Sequence, residues 1–317
     1  MSLFLHHLEL CAPLFLLVAL GWASVKIGLF DAGVASGLGS FTFKLLMPVL
    51  LFKMMSGFAD MPPVDLRVLL AFFGTSAVVY FLGRLFYSRV FGTDAAGTTV
   101  LAIAGVYGNN VLLGIPIVET SLGLSAMPTV SILLILTVTS WWAVAIASVE
   151  IGRYGRIQSL RDVTKPMLKV FRTPVVLGIV AGILWSLTGL HLPDFLQKSV
   201  NMVASSSSPI CLIVVGMSLA QYKLSAGLAK ELSTTAVKLI VQPLLVWCAA
   251  RLLNLGELET HACVLLAAMP VAVNVFLMSQ QFHSEEGAVS NGMLVSTALS
   301  ALTVPVMLTI LGVAPNL

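Results

Sequence analysis

The chain has 317 residues, of which 58% are hydrophobic and only 10% are charged, and its 17 basic and 14 acidic side chains give a formal net charge of +3. Because a soluble domain carries roughly 25% charged residues, most of this chain has no surface suited to water, and so small a net charge gives no support to nucleic-acid binding. The mean hydropathy is +1.00, and the continuous apolar runs reach the ~20 residues that span a lipid bilayer. These features predict an all-α polytopic membrane protein, since a β-barrel would alternate apolar and polar residues.

Ten apolar segments follow one another along the chain, and each is predicted to be a transmembrane helix. Their ranges are 8–28, 34–57, 66–90, 95–119, 125–150, 173–190, 197–221, 229–253, 258–282 and 287–312. The first is interpreted as a spanning helix rather than a secretory signal peptide, because no Lys or Arg precedes it and a signal peptide begins with a basic region.

The segment 152–172 divides these spans into two groups of five. It carries six basic residues (Arg153, Arg156, Arg161, Lys165, Lys169 and Arg172) and a single acid, Asp162. Lys and Arg accumulate in cytoplasmic loops, so this segment is predicted to be a basic cytoplasmic loop. Because five spans lie on each side of it, both termini are predicted to lie outside.

The two groups of spans are predicted to be an inverted repeat, with 1–151 as the first five-helix repeat and 173–317 as the second. Halves with an odd number of spans have opposite orientations, which is the condition for such a repeat. A weak similarity between the two halves supports this interpretation. Gly28 and Gly189 are each followed by leucine, and each lies twenty residues before a proline.

The fourth span of each half carries a proline and asparagines inside a stretch without charge, namely Asn109, Asn110 and Pro116 in one and Pro270 and Asn274 in the other. Proline removes a backbone donor, and in hydrocarbon every freed backbone group needs a partner. A break at this depth therefore indicates contact with protein or with a water-filled cavity. One break in each half is the sequence pointer to the binding site of a secondary transporter.

These breaks are predicted to bind a small organic anion. Each asparagine amide offers donors and an acceptor, and Gly114 lets the backbone approach a ligand closely. A half-helix that begins after a break presents free N–H groups and the positive end of its dipole. The alternative is an ordinary proline kink with amide bonds between helices.

Two lysines and several hydroxyl or amide side chains are weaker candidates for the same site. Lys44 and Lys238 each lie about ten residues into a span, where a cation costs ~2.5 kcal/mol or more, unless they snorkel to the interface. Ser206 and Ser207 precede a proline in span seven, and Gln242 lies one helical turn from Lys238. The alternative for the two serines is close helix packing. No Asp or Glu lies at comparable depth, so the predicted cavity suits an anion better than a cation.

No motif for a hydrolase, a phosphate loop or a dinucleotide fold occurs in the sequence, so no enzyme activity, cofactor or metal is predicted. Energy for transport would then come from exchange or from a gradient of protons or sodium. A membrane receptor that binds without translocation is the alternative, although receptors usually carry an output domain. The sequence leaves the oligomeric state open, a homodimer included.

The fourth-span motif Asn109-Asn110-x-x-x-Gly114-Ile115-Pro116-Ile117 resembles the Asn-x-x-x-x-Gly-Ile-Pro-Leu signature of the auxin efflux carrier family, which includes plant auxin carriers and bacterial malonate-transporter-like proteins. The segment 46–52 resembles the second-span motif of that family, and 268–270 resembles its ninth-span Leu-Pro turn. The resemblance extends over essentially the whole chain in span count and motif order.

The resemblance implies ten helices in an inverted repeat, divided between a panel domain and a crossing domain, with substrate bound where spans four and nine cross. Asn109 and Pro116 match the fourth-span motif directly, whereas Asn274 stands where plant members often have a second proline. The short central loop resembles that of bacterial members, which implies the bacterial inner membrane and malonate or a similar mono- or dicarboxylate as substrate. An auxin-like weak hydrophobic acid, moved by efflux, is the alternative.

Overall fold

The computed structural model of the chain describes residues 3–60, 65–154, 172–190, 192–222 and 229–313. Regular structure in these ranges is helical throughout. Of the predicted basic cytoplasmic loop, residues 155–171 lie outside the described residues.

Twelve helices make up the described part of the chain. They are α1 (Leu3–Lys26), α2 (Ala32–Met55), α3 (Arg67–Phe91), α4 (Ala95–Ala104), α5 (Asn110–Leu122), α6 (Leu124–Arg153), α7 (Pro174–Leu187), α8 (Asp194–Leu219), α9 (Ala229–Leu252), α10 (Glu257–Ala267), α11 (Val273–Phe282) and α12 (Glu286–Leu311). By length and composition, 7 of the described helices can cross a membrane, namely α1, α2, α3, α6, α8, α9 and α12. The other predicted spans are shorter in the structure, because the fourth and ninth are each interrupted and α7 has only 14 residues.

Side-chain caps mark the starts of helices, and glycines mark helix ends at tight turns. The Asp31 carboxylate accepts a hydrogen bond of 2.8 Å from the Val34 N–H at the start of α2, and Asp94 does the same for Gly97 at the start of α4. Each bond satisfies one of the N–H groups that a helix start leaves free. Gly92 ends α3 with a φ of 60°, a left-handed conformation that glycine adopts without a steric penalty.

Helices α1, α8 and α12 each contain a proline within regular α-helix. Three other helices continue through a proline by means of a π-helical turn. In each, a π-helical turn ends two residues before the proline: Thr42–Leu46 before Pro48, Asn110–Gly114 before Pro116, and Val237–Val241 before Pro243. A proline ring clashes with the carbonyl four residues earlier, and a π turn widens the helix at that place. Pro116 therefore lies inside α5, and the interruption of the fourth span lies before it, at residues 105–109.

The first two helices of one predicted half pack on those of the other, with α1 against α8 and α2 against α7. Glycines allow these helix backbones to touch. A Cβ atom on Gly21 would overlap the Ile213 carbonyl, and one on Gly216 would overlap the Val18 carbonyl. On α7, Gly178 lies in the same way against Pro48. Small residues of this kind let helices pack closely in the membrane, where the hydrophobic effect does not drive their association.

The remaining helices surround the two interrupted segments. Helix α3 packs on α4 and α9 packs on α10, while α6 lies along α4 and α12 lies along α9. The interruptions are consequently buried in the interior, where backbone groups can find only protein partners or enclosed water.

Candidate functional site

The two interruptions are bonded to each other. The Asn109 N–H donates to the Pro270 carbonyl at 2.7 Å, and the Ala272 N–H donates to the Tyr107 carbonyl at 3.0 Å. The two segments thus form an isolated antiparallel bridge. This bridge satisfies backbone groups that the ends of α4 and α10 would otherwise leave without partners.

Glycines in the first interruption allow this contact. A Cβ atom on Gly108 would lie 3.1 Å from the Met269 Cβ and 3.2 Å from the Leu266 carbonyl oxygen. A Cβ atom on Gly114 would lie 3.1 Å from a Leu266 methyl group and 3.2 Å from the Met269 Cγ. Side chains at either position would therefore press the two segments apart.

Helices α9 and α12 hold the two ends of the second interruption. The Lys238 ammonium of α9 is wholly buried and donates to the Ala267 carbonyl at the end of α10. This is the end of a helix at which the dipole favours a cation. On the other side, the Val271 N–H donates to the Ser296 hydroxyl of α12 at 3.1 Å.

A cavity of about 110 Å³ lies beside the bridge, between α2, α6 and the two interrupted segments. Its polar lining residues are Tyr107, Asn109, Asn110, Thr137 and Asn274. Apolar side chains complete the wall, with Phe43 of α2, Leu134 of α6 and Leu277 of α11 among them. Among the described residues, none that lines this cavity is an acid or a base other than the tyrosine phenol.

Two polar side chains in this wall have no partner in the described part of the protein. Asn110 is 3% exposed, and neither atom of its amide makes a hydrogen bond. The Thr137 hydroxyl, on a residue that is 1% exposed, also makes none. A buried polar group without a partner costs ~1–3 kcal/mol. A ligand with oxygens that accept from Asn110 and Thr137 would remove that cost, so the cavity is suited to a polar ligand.

Two helix ends face the same cavity. Helix α5 begins at Asn110 and α11 begins at Val273, and both residues line the wall. Helix starts present unpaired N–H groups and a partial positive charge, which is an arrangement that binds anions. Next to α11, the Asn274 amide donates to the Tyr107 hydroxyl at 2.8 Å, which fixes the position of both side chains.

The structure brings together the predicted asparagines but not the two lysines. Asn109, Asn110 and Asn274 all line the cavity, and Gly114, Pro116 and Pro270 lie in the segments that shape it. Lys44 is exposed on the π turn of α2, and Lys238 is held at the end of α10.

Three further predicted residues bond helices to one another or to their own backbone, outside the cavity wall. The Gln242 amide donates to the Ser76 hydroxyl of α3 at 2.7 Å. The Ser207 hydroxyl donates to the Leu46 carbonyl of α2 at 3.1 Å, and Ser206 bonds to the carbonyl of Val203 in its own helix at 2.8 Å.

Two polar residues of the cavity wall were not predicted. Tyr107 directly precedes the interruption, and a phenol inside a charge-free stretch was a usable signal. Thr137 lies in an apolar helix, where no spacing or motif distinguishes it. Sequence reasoning also missed the burial of Glu231 at the start of α9, which is 2% exposed. Because it lies in the first turn of the helix, the sequence suggests that its side chain is exposed.

The chain is similar to known proteins over nearly its whole length. The sequence model of the membrane transport protein family matches residues 6–308. The chain is 26% identical over 302 residues to a Rhizobium meliloti (strain 1021) protein named "Putative malonate transporter", an alignment that covers 93% of this chain and 92% of that protein. It is 19% identical over 340 residues to auxin efflux carrier component 8 of Arabidopsis thaliana, with 91% and 93% covered.

One relative has a name that describes signaling rather than transport. It is the lysosomal cholesterol signaling protein of Mus musculus, to which the chain is 26% identical over 311 residues. That alignment covers 90% of this chain but only 35% of the mouse protein.

Proposed function

From the premise that the chain belongs to the membrane transport protein family, which its match over residues 6–308 establishes, we propose a secondary transporter that moves a small organic anion by alternating access. That the chain is a multi-pass membrane transporter and not an enzyme follows from the family and from its relatives. The resemblance to auxin efflux carriers that the fourth-span motif carries is confirmed.

The observation that carries the proposal is the pair of unpartnered polar side chains, Asn110 and Thr137, in a cavity at two helix starts. An anion that enters the cavity exchanges its hydration shell for amide, hydroxyl and backbone N–H donors. Because pockets for drug-sized ligands measure ~300–1,000 Å³, a cavity of about 110 Å³ favours a malonate-like mono- or dicarboxylate over an auxin-like acid. The name of the Rhizobium relative supports the same substrate class.

For the architecture we propose ten spans in a five-plus-five inverted repeat, in which α4 with α5 and α10 with α11 are the broken, crossing fourth and ninth spans. The packing supports this arrangement. The first helix of one half packs on the second helix of the other half, as α1 does on α8 and α7 does on α2, and two related halves are expected to pack in this reciprocal way. In alternating access, the helices around the interruptions would rock against α1, α2, α7 and α8. Energy would come from an ion gradient or from exchange.

The topology that we propose places both termini outside and the segment 152–172 in the cytoplasm of a bacterial cell, with the protein in the inner membrane. Single cysteines introduced at each terminus should react with a membrane-impermeant reagent added to intact cells. A cysteine placed by Ser159→Cys should react only after the cells are opened. The reverse pattern would contradict both the orientation and the repeat.

The transport proposal is tested by flux of labelled carboxylates into liposomes that contain the purified protein. We expect counterflow exchange of malonate or of a close mono- or dicarboxylate. Selective flux of indole-type hydrophobic acids would favour the alternative substrate class. Saturable binding without flux of any of these acids would indicate a receptor and contradict transport.

Substitution of Lys238 tests whether its charge acts on the substrate or on the interruption. Because its ammonium bonds to the Ala267 carbonyl, we expect Lys238→Gln to lower exchange of mono- and dicarboxylates by the same factor. The exposed Lys44, changed to Gln, serves as the control and should have little effect on either. A loss confined to dicarboxylates would instead place the Lys238 charge in the substrate path, since a second carboxylate would lose its charged partner.

A further inference from the structure

A buried acid lies away from the substrate cavity, in the first turn of α9. Glu231 is 2% exposed, and its Oε1 accepts a hydrogen bond of 2.9 Å from the Asn291 amide of α12. Its Oε2 has no hydrogen-bond partner within the described residues. One helical turn further along the same face, the Thr235 hydroxyl is also buried and also makes no hydrogen bond there.

Among the described residues, the neighbouring charges leave the Glu231 carboxylate unpaired. Lys230 forms an ion pair of 2.6 Å with Glu285 instead, and Lys238, two turns along α9, donates to a backbone carbonyl. Other titratable groups on the elements around this end of α9 include Arg89 and Tyr87 of α3, Asp94 at the cap of α4 and Glu286 at the start of α12. The Tyr87 phenol bonds to Thr234 at 2.9 Å.

The start of α9 offers this carboxylate only the partial charge of its dipole. A full charge in this buried, unpaired position therefore still favours a counter-ion or a proton. Hard cations gather six or more oxygen ligands, whereas the side-chain oxygens without a partner around Glu231 are, among the described residues, its own Oε2 and Thr235 Oγ1. A proton needs only one oxygen. Once protonated, Oε2 becomes a donor, and the Thr235 hydroxyl is a free acceptor close by on the same helix.

Glu231 is linked to the substrate cavity through the two helices that it joins. Its own helix, α9, carries the Lys238 side chain that bonds to the end of α10. Its partner helix, α12, carries the Ser296 hydroxyl that bonds to the Val271 N–H. A change in how α9 and α12 meet at Glu231 would thus act on both ends of the second interruption, directly before the start of α11.

We propose that Glu231 is the proton-binding group that couples transport of the anion to a proton gradient. In each cycle Oε2 takes one proton from water on one side of the membrane and gives it to water on the other side, in the same direction as the anion. This inference rests on the proposed transport function and adds its coupling ion and the group that carries it.

The test uses the purified full chain in liposomes, with malonate or another carboxylate that undergoes counterflow exchange as the labelled probe. An inward proton gradient of one pH unit should raise accumulation of a monoanion by up to about tenfold in the wild type. Glu231→Gln has nearly the same shape as the protonated acid and can keep the bond to Asn291. We expect it to retain exchange within about twofold and to lose accumulation driven by the proton gradient.

Two further variants make the result specific. Glu286→Gln removes an exposed carboxylate near the same end of the bundle and should accumulate substrate like the wild type. Thr235→Val removes the free acceptor without a change of shape and should shift the pH dependence of accumulation, which provides a readout if Glu231→Gln does not fold.

Proton-driven accumulation that survives in Glu231→Gln would overturn the proposal, as would a pH dependence in Thr235→Val identical to that of the wild type. Accumulation driven by sodium and not by protons would also overturn it. Absence of exchange for every carboxylate in the wild type would reject the proposed transport function itself. That result is distinct from exchange without proton-driven accumulation, which would reject only the role of Glu231.

Discussion

Leucine in place of Asn110 is expected to lower carboxylate exchange at least ~10-fold, while the melting temperature of the purified protein stays the same or rises. Both atoms of the Asn110 amide are buried without a hydrogen-bond partner, so the substitution breaks no bond within the described part of the protein. It also removes a buried polar group without a partner. The presence of such a group lowers stability by ~1–3 kcal/mol. The anion, in contrast, loses a donor, and a hydrogen bond to a charged group contributes ~1.5–3 kcal/mol.

A matched control is Gln242→Leu, which removes a buried amide whose nitrogen has a partner, although its oxygen has none within the described residues. Its Nε2 donates to the Ser76 hydroxyl of α3 at 2.7 Å, so this variant should melt at a lower temperature and keep exchange per folded molecule. Both properties can be measured on the same preparations, by thermal unfolding in detergent and by exchange in liposomes. A lower melting temperature with normal exchange in Asn110→Leu would make Asn110 a structural residue and contradict the proposed site.

Alanine in place of Gly216 is expected to cause the largest loss of stability among single-methyl additions. The new Cβ atom would overlap the Val18 carbonyl oxygen and lie 2.7 Å from the Trp22 backbone nitrogen. Since both are backbone atoms of α1, neither can rotate away, and α1 must separate from α8. Overpacking typically costs ~1–3 kcal/mol, and we expect the upper end of that range or more, seen as a lower melting temperature in detergent.

Gly37→Ala is the comparison for this variant, because it adds the same methyl group to helix α2. No heavy atom lies within 4 Å of a Cβ atom at that position, and alanine is favoured over glycine inside a helix by up to ~1 kcal/mol. We therefore expect an unchanged or higher melting temperature. Equal losses for the two variants would show that glycine flexibility, rather than the contact between α1 and α8, determines the effect.

Helix positions were largely predictable from the sequence, because charged and turn residues bound each apolar run. The run predicted at 229–253 is the helix Ala229–Leu252, and the one predicted at 287–312 is Glu286–Leu311. Hydropathy alone could not indicate where the fourth span is interrupted. The prediction centred on Pro116, but a π turn accommodates that proline, and the chain leaves the helix at Gly105 instead. Pro270, without such a turn, does lie in the second interruption.

The candidate site was predictable to the extent that its residues are unusual for hydrocarbon. Asparagines 109, 110 and 274 are conspicuous in apolar runs, and all three line the cavity. Thr137 could not be identified in this way, since a threonine in a helix commonly bonds to its own backbone, as Thr99 and Thr120 do here. Only its place in the wall of the cavity distinguishes Thr137.

The π turns before Pro48, Pro116 and Pro243 have a consequence for how related sequences compare. Each takes up one residue more than a regular α-helical turn, so the helix beyond it keeps the phase it would have without that residue. Deletion of a single residue from 237–241 would restore regular winding and leave the Gln242 side chain facing Ser76. Alignments of family members should therefore show single-residue gaps at these places more often than elsewhere in the same helices, without a nearby gap of opposite sign.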